Sequence, residues 1–498
     1  MRIPPPAGAR RSRRLWSLPM ALFGLLWLAA CTRDPAPRPD GPRPNVLILL
    51  GDTVRADRMS VYGHHRSTTP RIDAFAERGR VYERALSAGA WTLPSHVSLF
   101  TGLPVGVHGV DRVNERLPDE ETTLAEIFAG EGYDTWAFSA NPFVSPDNGV
   151  TQGFAVVETA WSERWSDEIA RTMRTRLVDG DVSSERARLQ ITTGNHMGFQ
   201  EAGLAARRGF IEWLDERSSG RPFFAFINYM EAHTPRIPSA EARAQVMSPE
   251  LSAHSFTVDQ TVDANVGWMA GAHAYSPRDL KALRAVYDAA LVDWDAAVGV
   301  LLDDLKKRGI LDDTIVVITA DHGESLGEHH RMGHQFNVHS TVAHVPLIVV
   351  FPRAVPAGRF AAPTSTASLF RILPELAGIE LPRAATRRIT GPPGDPAGAL
   401  TEYTAAHPLE LQMLRYFKAP NLDEFRRTFA ALERGEHRII AGSDGTRTLF
   451  DVRKDPLEEE DIASARPELA EEMGEFLRGR LVAPGDSAAG GSAAFDEA

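Results

Sequence analysis

The chain of 498 residues has a formal net charge of -12 and is 43% hydrophobic, enough for a sizeable core and for two or three domains or one large one. The negative balance argues against a nucleic-acid partner. Cys31 is the only cysteine, so no internal disulfide can form.

Arg10, Arg11, Arg13 and Arg14 precede an apolar run, residues 15–30, that closes on Leu28-Ala29-Ala30-Cys31. A basic flank, an apolar middle and a small-residue end predict a secretory signal over residues 1–31. The run is short for a permanent span, with an uncleaved anchor as the alternative. Leu-Ala-Ala-Cys resembles the lipobox of bacterial lipoproteins, which implies lipid on Cys31 and an exported protein anchored in the cell envelope, on the periplasmic side or at the outer membrane. Residues 12–16 also faintly resemble a twin-arginine signal. Residues 32–43, rich in Pro, Arg and Asp, read as a tether. Residues 484–498 are mostly Gly, Ser, Ala and Asp and read as a disordered tail.

Residues 45–50 form a nearly continuous apolar run, Asn-Val-Leu-Ile-Leu-Leu, with Gly51-Asp52-Thr53 behind it. Such a run predicts a buried strand of a parallel sheet, with Asp52 just past its C-terminal end, where α/β sheets place their sites. Thr69-Pro70 opens a helix through Arg78. Residues 89–102, GAWTLPSHVSLFTG, read as a turn feeding a short helix, with Pro94 at its first position and Gly102 at its end. Thr92 and Ser95 fall where that helix begins, so each hydroxyl is either a cap or a group aimed at an anion. Residues 123–130 predict a helix and residues 135–140 a strand ending at Asn141-Pro142. Residues 162–197 are polar with weak periodicity and read as a peripheral insertion.

A helix over residues 201–217 leads to a buried strand, residues 222–229, followed by Glu231-Ala232-His233-Thr234-Pro235. A long helix spans residues 278–308. Residues 314–320 are the next strand and run straight into Asp321-His322-Gly323-Glu324; residues 345–351 are another. Helices alternating with strands that lead into acidic or histidine residues predict a central, mostly parallel sheet flanked by helices, with one site at the strand ends. Residues 389–398 are rich in Gly and Pro and read as a boundary. Beyond them come paired strands at 437–441 and 447–452 and a final helix at 467–480. The expected organisation is a catalytic domain over residues 44–390 and a small C-terminal α/β subdomain over residues 391–483.

Asp321 and His322, adjacent after a buried strand, can both turn onto one cation. Asp52 offers a second carboxylate, and Thr92 a hydroxyl that completes the site. Oxygen ligands with one nitrogen suit a divalent ion and leave calcium, manganese, zinc and magnesium open. A threonine hydroxyl attacks only when a metal or base activates it.

These residues, with Thr92-Leu93-Pro94-Ser95-His96, Phe100-Thr101-Gly102, His233-Thr234-Pro235, residues 321–329 and Val345-Pro346-Leu347-Ile348, resemble the sulfatase branch of the alkaline phosphatase superfamily. The resemblance holds in chain order over most of residues 44–482. It implies an alkaline-phosphatase-like sandwich and an enzyme acting on an anionic ester. The implied metal ligands are Asp52, Thr92, Asp321 and His322, and the implied catalytic residues are Thr92, His233 and His334. Sulfatases of this branch carry Cys or Ser, matured to formylglycine, where this chain has Thr92, and an arginine where it has His96. Their second aspartate after the first strand is Thr53 here. Their Lys-x-His after the strand at Thr135 is missing, with Asn141 the nearest polar residue, and His334 stands near their substrate-contacting lysine. An unmodified threonine is similar to the nucleophile of phosphodiesterases and headgroup phosphotransferases of the superfamily. The expected activity is cleavage of phosphate or phosphonate (di)esters or sulfate esters through Thr92. A true sulfatase and a non-catalytic binding lipoprotein are the alternatives. Arg55 reads as scaffold. Oligomeric state and natural substrate have no signature here.

Overall fold

The first strand, Asn45–Gly51, is buried on both faces, which is why it reads as a nearly continuous apolar run. Leu47 and Leu49 point into one hydrophobic cluster with Tyr287, Trp294 and Val298 of the long helix Pro277–Lys307. Val46, Ile48 and Leu50 point into another with Val97 and Phe100 of the helix Thr92–Thr101. Two apolar faces need two helical layers, so the sheet sits in the middle of a helix–sheet–helix sandwich. The computed structural model describes Met1 and residues 42–179, 201–218, 220–382, 390–404 and 406–481. The expected signal segment, most of the tether and the tail lie outside the described residues.

The central sheet has eight strands. Their order is Gly358–Phe360, Arg80–Tyr82, Leu347–Val350, Thr314–Thr319, Asn45–Gly51, Phe223–Tyr229, Asp134–Ser139, Val156–Thr159. Only Leu347–Val350 runs against the others. The apolar run at residues 345–351 is not one strand. Pro346 has no N–H to give a ladder, and the chain switches sheets there: His344–Val345 pairs with Ala85–Leu86, and Leu347–Val350 joins the central sheet. A four-stranded antiparallel sheet, Ala399–Tyr403, Phe429–Arg434, His437–Gly442 and Arg447–Asp451, forms the small C-terminal layer.

Helix boundaries follow local chemistry. Ser276 and Asp279 close a reciprocal capping box on the long helix, and Thr123 with Glu126 do the same for Leu124–Gly130. The stretch at 162–197 is not wholly peripheral. Trp165 precedes the helix Ser166–Asp179, and Trp165, Ile169 and Met173 are buried in the core. Three residues at helical spacing suffice to dock the helix, too few to raise the periodicity of a polar stretch. Residues 180–197 of that stretch lie outside the described residues. No helix among the described residues is long and apolar enough to cross a membrane.

One buried histidine sets a pH limit on this fold. His108 is 5% exposed; its Nδ1 accepts the Val110 N–H at 3.0 Å and its Nε2 lies 3.0 Å from Ser98 Oγ. Burial pulls its pKa from 6.5 down to about 3. The unfolded chain then binds a proton that the folded chain refuses, so this contribution is complete above the ordinary imidazole value and drains as pH falls below it. Between pH 6.5 and about 5 the loss is about 2 kcal/mol. Urea unfolding at several pH values checks this: His108→Gln should lose less stability than wild type over that window, and equal slopes would refute it.

Candidate active site

Asp52, Asn141, His233 and Asp321-His322 follow four adjacent parallel strands at their C-terminal ends. Thr92 is the first residue of the helix that covers the same end. The helix begins two residues earlier than Pro94 suggests, with Trp91 in extended conformation as its cap residue and no side-chain cap. Neither hydroxyl caps it. Ser95 Oγ is turned back onto the Trp91 carbonyl at 2.8 Å. Thr92 Oγ1 instead faces the strand ends, 3.3 Å from Asn141 Nδ2 and 3.4 Å from His322 Nε2. Asn141 also donates to Asp52 Oδ2 at 2.7 Å, so one amide bridges the Asp52 carboxylate and the Thr92 hydroxyl.

Asp52, Asp321 and His322 each turn one ligand atom into a common space, all within 4.8 Å of one another. The buried Asp321 Oδ1 accepts the N–H groups of His322 (2.9 Å) and Thr53 (3.3 Å), while its Oδ2 has no hydrogen-bond partner. Asp52 Oδ1 is equally orphaned. His322 donates from Nδ1 to the Gly323 carbonyl at 2.9 Å, which leaves the Nε2 lone pair pointing at the carboxylates. Burial, with Asp52 nearby, holds the Asp321 pKa well above the usual carboxylate range. Burial also pulls His322 down to about 4, so it is neutral at physiological pH. Two orphaned carboxylate oxygens and a neutral imidazole nitrogen fit a divalent cation, whose charge supplies the partner they lack. Gly323 is required by close approach: a Cβ there would lie 2.3 Å from the Thr341 carbonyl oxygen and 2.9 Å from Arg55 Cγ.

His96 donates from Nδ1 to the Thr92 carbonyl at 2.8 Å, and that nitrogen lies 3.6 Å from Asp321 Oδ2. His233 donates from Nδ1 to the Thr234 carbonyl at 2.7 Å. Burial lowers the pKa of both, so both are neutral with Nε2 bare. His334 stands between His322 and His233, with ring centroids 4.4 Å and 5.7 Å away. Its Nδ1 lies 3.8 Å from Glu324 Oε1, and Glu324 is ion-paired with the buried Arg236. Arg55 is buried beneath the site and held by Asp57 and Glu328, a structural role.

The residues expected from the sequence thus come together: Thr92, Asp52, Asp321, His322, His233 and His334. Asn141, noted only as the nearest polar residue after its strand, is in direct contact with the Thr92 hydroxyl. Glu324 and Arg236, the ion pair beside His334, were not among the expected site residues. Glu324 had a signal in the run Asp321-His322-Gly323-Glu324, and Arg236 in directly following His233-Thr234-Pro235. His334 packs on His322, whereas the nearby His329 and His339 stack on each other at 3.8 Å, with His339 bonded to Glu458.

A free hydroxyl at a helix start, set against carboxylates and an imidazole at the ends of parallel strands, defines an ester hydrolase on the alkaline-phosphatase-like sandwich. The Sulfatase family profile matches residues 44–379, and the chain belongs to that family. Arylsulfatase K of Bos taurus is 22% identical over 512 residues, covering 93% of this chain and 89% of its own. The fold is shared with the phosphonate monoester hydrolase of Agrobacterium radiobacter (TM-score 0.64, 21% identity, 88% of this chain and 96% of that one). It is also shared with a protein solved in complex with its substrate D-glucosamine-2-N,6-O-disulfate (TM-score 0.62, 17% identity, 88% and 96%).

Proposed function

We propose that the protein is a divalent-cation-dependent hydrolase of phosphate or phosphonate esters, or of sulfate esters, with Thr92 as its nucleophile. The observation that carries this is the Thr92 hydroxyl, free of any capping bond and set between Asn141 Nδ2 and His322 Nε2. Asp52, Asp321 and His322 would hold the cation. When bound, it neutralises the ester's charge and eases ionisation of the Thr92 hydroxyl. Asn141 fixes the hydroxyl oxygen for in-line attack. Thr92 Oγ1 then bonds to the central atom of the ester as the bond to the leaving oxygen breaks. The proton that Thr92 gives up is taken by the bare Nε2 of His233 and passed to that oxygen. The bare Nε2, locked by its Nδ1 bond to Thr234, next takes a proton from the water that cleaves the adduct and frees Thr92. His334 lines the same side of the site. An acceptor alcohol in place of water would make the reaction a transfer.

A phosphorus ester suits Thr92 better than a sulfate ester. Formylglycine sulfatases release sulfate by collapse of a hemiacetal, which an alkyl threonine adduct cannot do. The phosphonate monoester hydrolases among proteins of this fold support that preference. The test is purified full chain with calcium, manganese, zinc or magnesium on matched aryl sulfate, aryl phosphodiester and aryl phosphonate esters. Faster turnover of a phosphorus ester is expected. Faster sulfate release would favour a sulfatase adapted to threonine, and no turnover with no metal bound would favour a non-catalytic binding protein.

We also propose that the chain works at a membrane surface through lipid on Cys31, on the strength of residues 28–31. A fatty-acid probe should label the wild type and not Cys31→Ser; unlabelled wild type would overturn this.

A further inference from the structure

Arg112 lies with its guanidinium flat on Trp91, 3.5 Å from the ring centroid, and 5.3 Å from that of Phe143. Trp91 immediately precedes Thr92, and Phe143 follows Asn141 by two residues, so this cation is clamped between the two segments that hold the nucleophile. Its side chain is 7% exposed. No hydrogen bond reaches it among the described residues, and its one ion pair, with Glu115, is long at 4.0 Å. A guanidinium with little water around it and one long ion pair keeps hydrogen-bonding capacity unused. Glu410, in the helix Pro408–Tyr416, attracts it from beyond ion-pair distance. Burial pushes Glu410 up to about 7, and its Oε2 has no hydrogen-bond partner. Arg112 thus packs on the residue before Thr92 and on the residue two after Asn141, one layer outside the two groups that meet at the Thr92 hydroxyl.

We propose that Arg112 is a specificity-determining residue that binds a second negatively charged group, a carboxylate, sulfate or phosphate, on the organic part of the substrate. The planar fork of the guanidinium suits two oxygens of such a group, and the aromatic clamp fixes it in advance. The proposal rests on the ester-cleaving reading of the same site. It assigns the enzyme a substrate with two anionic centres, one at the reacting ester and one at Arg112.

The test compares 4-carboxyphenyl methylphosphonate with its 4-carbamoylphenyl analogue, which matches it in shape but lacks the second charge. Wild type with manganese should prefer the carboxylate by at least about tenfold in kcat/KM, the scale of one charge-assisted contact. Arg112→Met, which keeps the packing on Trp91, should bring the ratio to about one, and Arg112→Lys should recover part of it. High salt should erode the wild-type preference without any mutation. Calorimetric binding of the same two compounds to Thr92→Ala, with and without Arg112→Met, reads the preference in the absence of turnover. If wild type cleaves neither compound, the ester-cleaving reading fails while the calorimetric ratio still judges Arg112. No preference in wild type, or the same preference after Arg112→Met, would overturn the proposal.

Discussion

Thr92→Ala is expected to lose at least about a hundredfold in kcat, the scale set by removing a nucleophile or one of its fixed stabilising contacts. The reason is positional. Thr92 Oγ1 makes no cap bond to its own helix and is the hydroxyl that meets both Asn141 and His322. Little stability should go with it, because the helix N-terminus does not depend on that oxygen. Thr92→Ser keeps the hydroxyl and should keep part of the rate, lowered by the extra rotamer freedom of serine. Thr92→Cys rebuilds the formylglycine motif only in part, because His96 still replaces arginine, and should gain little sulfatase activity even beside a maturation enzyme. An unchanged rate in Thr92→Ala would leave water as the attacking group.

Asp321→Asn and His322→Ala should lose metal and activity together while the fold survives. Asparagine at 321 can still accept the His322 and Thr53 N–H groups through Oδ1, so the backbone around it is preserved. What it removes is a buried negative charge facing Asp52. In the metal-free wild type, burial and Asp52 raise the Asp321 pKa, so the folded chain binds a proton more readily than the unfolded chain. That term lowers stability as pH rises above the ordinary carboxyl value and through the raised one. Metal-free Asp321→Asn should therefore be at least as stable as metal-free wild type at neutral pH, and its stability should vary less with pH. Chelation should lower the wild-type melting temperature and leave the variant's unchanged. At a cation concentration a hundredfold above Kd, the stabilisation at stake is about 2.7 kcal/mol. Full metal content in either variant would place the cation elsewhere.

Asp52, Asp321, His322 and His233 were legible in the sequence because each sits within a few residues of a strand buried on both faces. Asp52, Asp321 and His322 stand out because the runs before them are apolar but for Asn45, Thr314 and Thr319. Thr92 was legible as a helix start but not as free or capping, since both uses favour the same residue at nearly the same position. The decision lies with Asn141 and His322, brought in from other strands. Arg112 had no local signature at all. A loop arginine reads as surface charge until Trp91 and Phe143 close on it. The break at Pro346 shows the opposite case, a local rule overlooked because the apolar run around it was so strong.

The most direct test of Thr92 as nucleophile is intact and peptide mass analysis of wild type, before substrate and after rapid quenching during turnover of an aryl phosphonate monoester. Before substrate, the peptide carrying Thr92 should have the mass of unmodified threonine. After the quench, the same peptide should gain the mass of the phosphonyl group, and the gain should vanish in Thr92→Ala. A mass gain on another residue, or steady turnover with no adduct at any quench time in wild type and Thr92→Ala alike, would contradict the account.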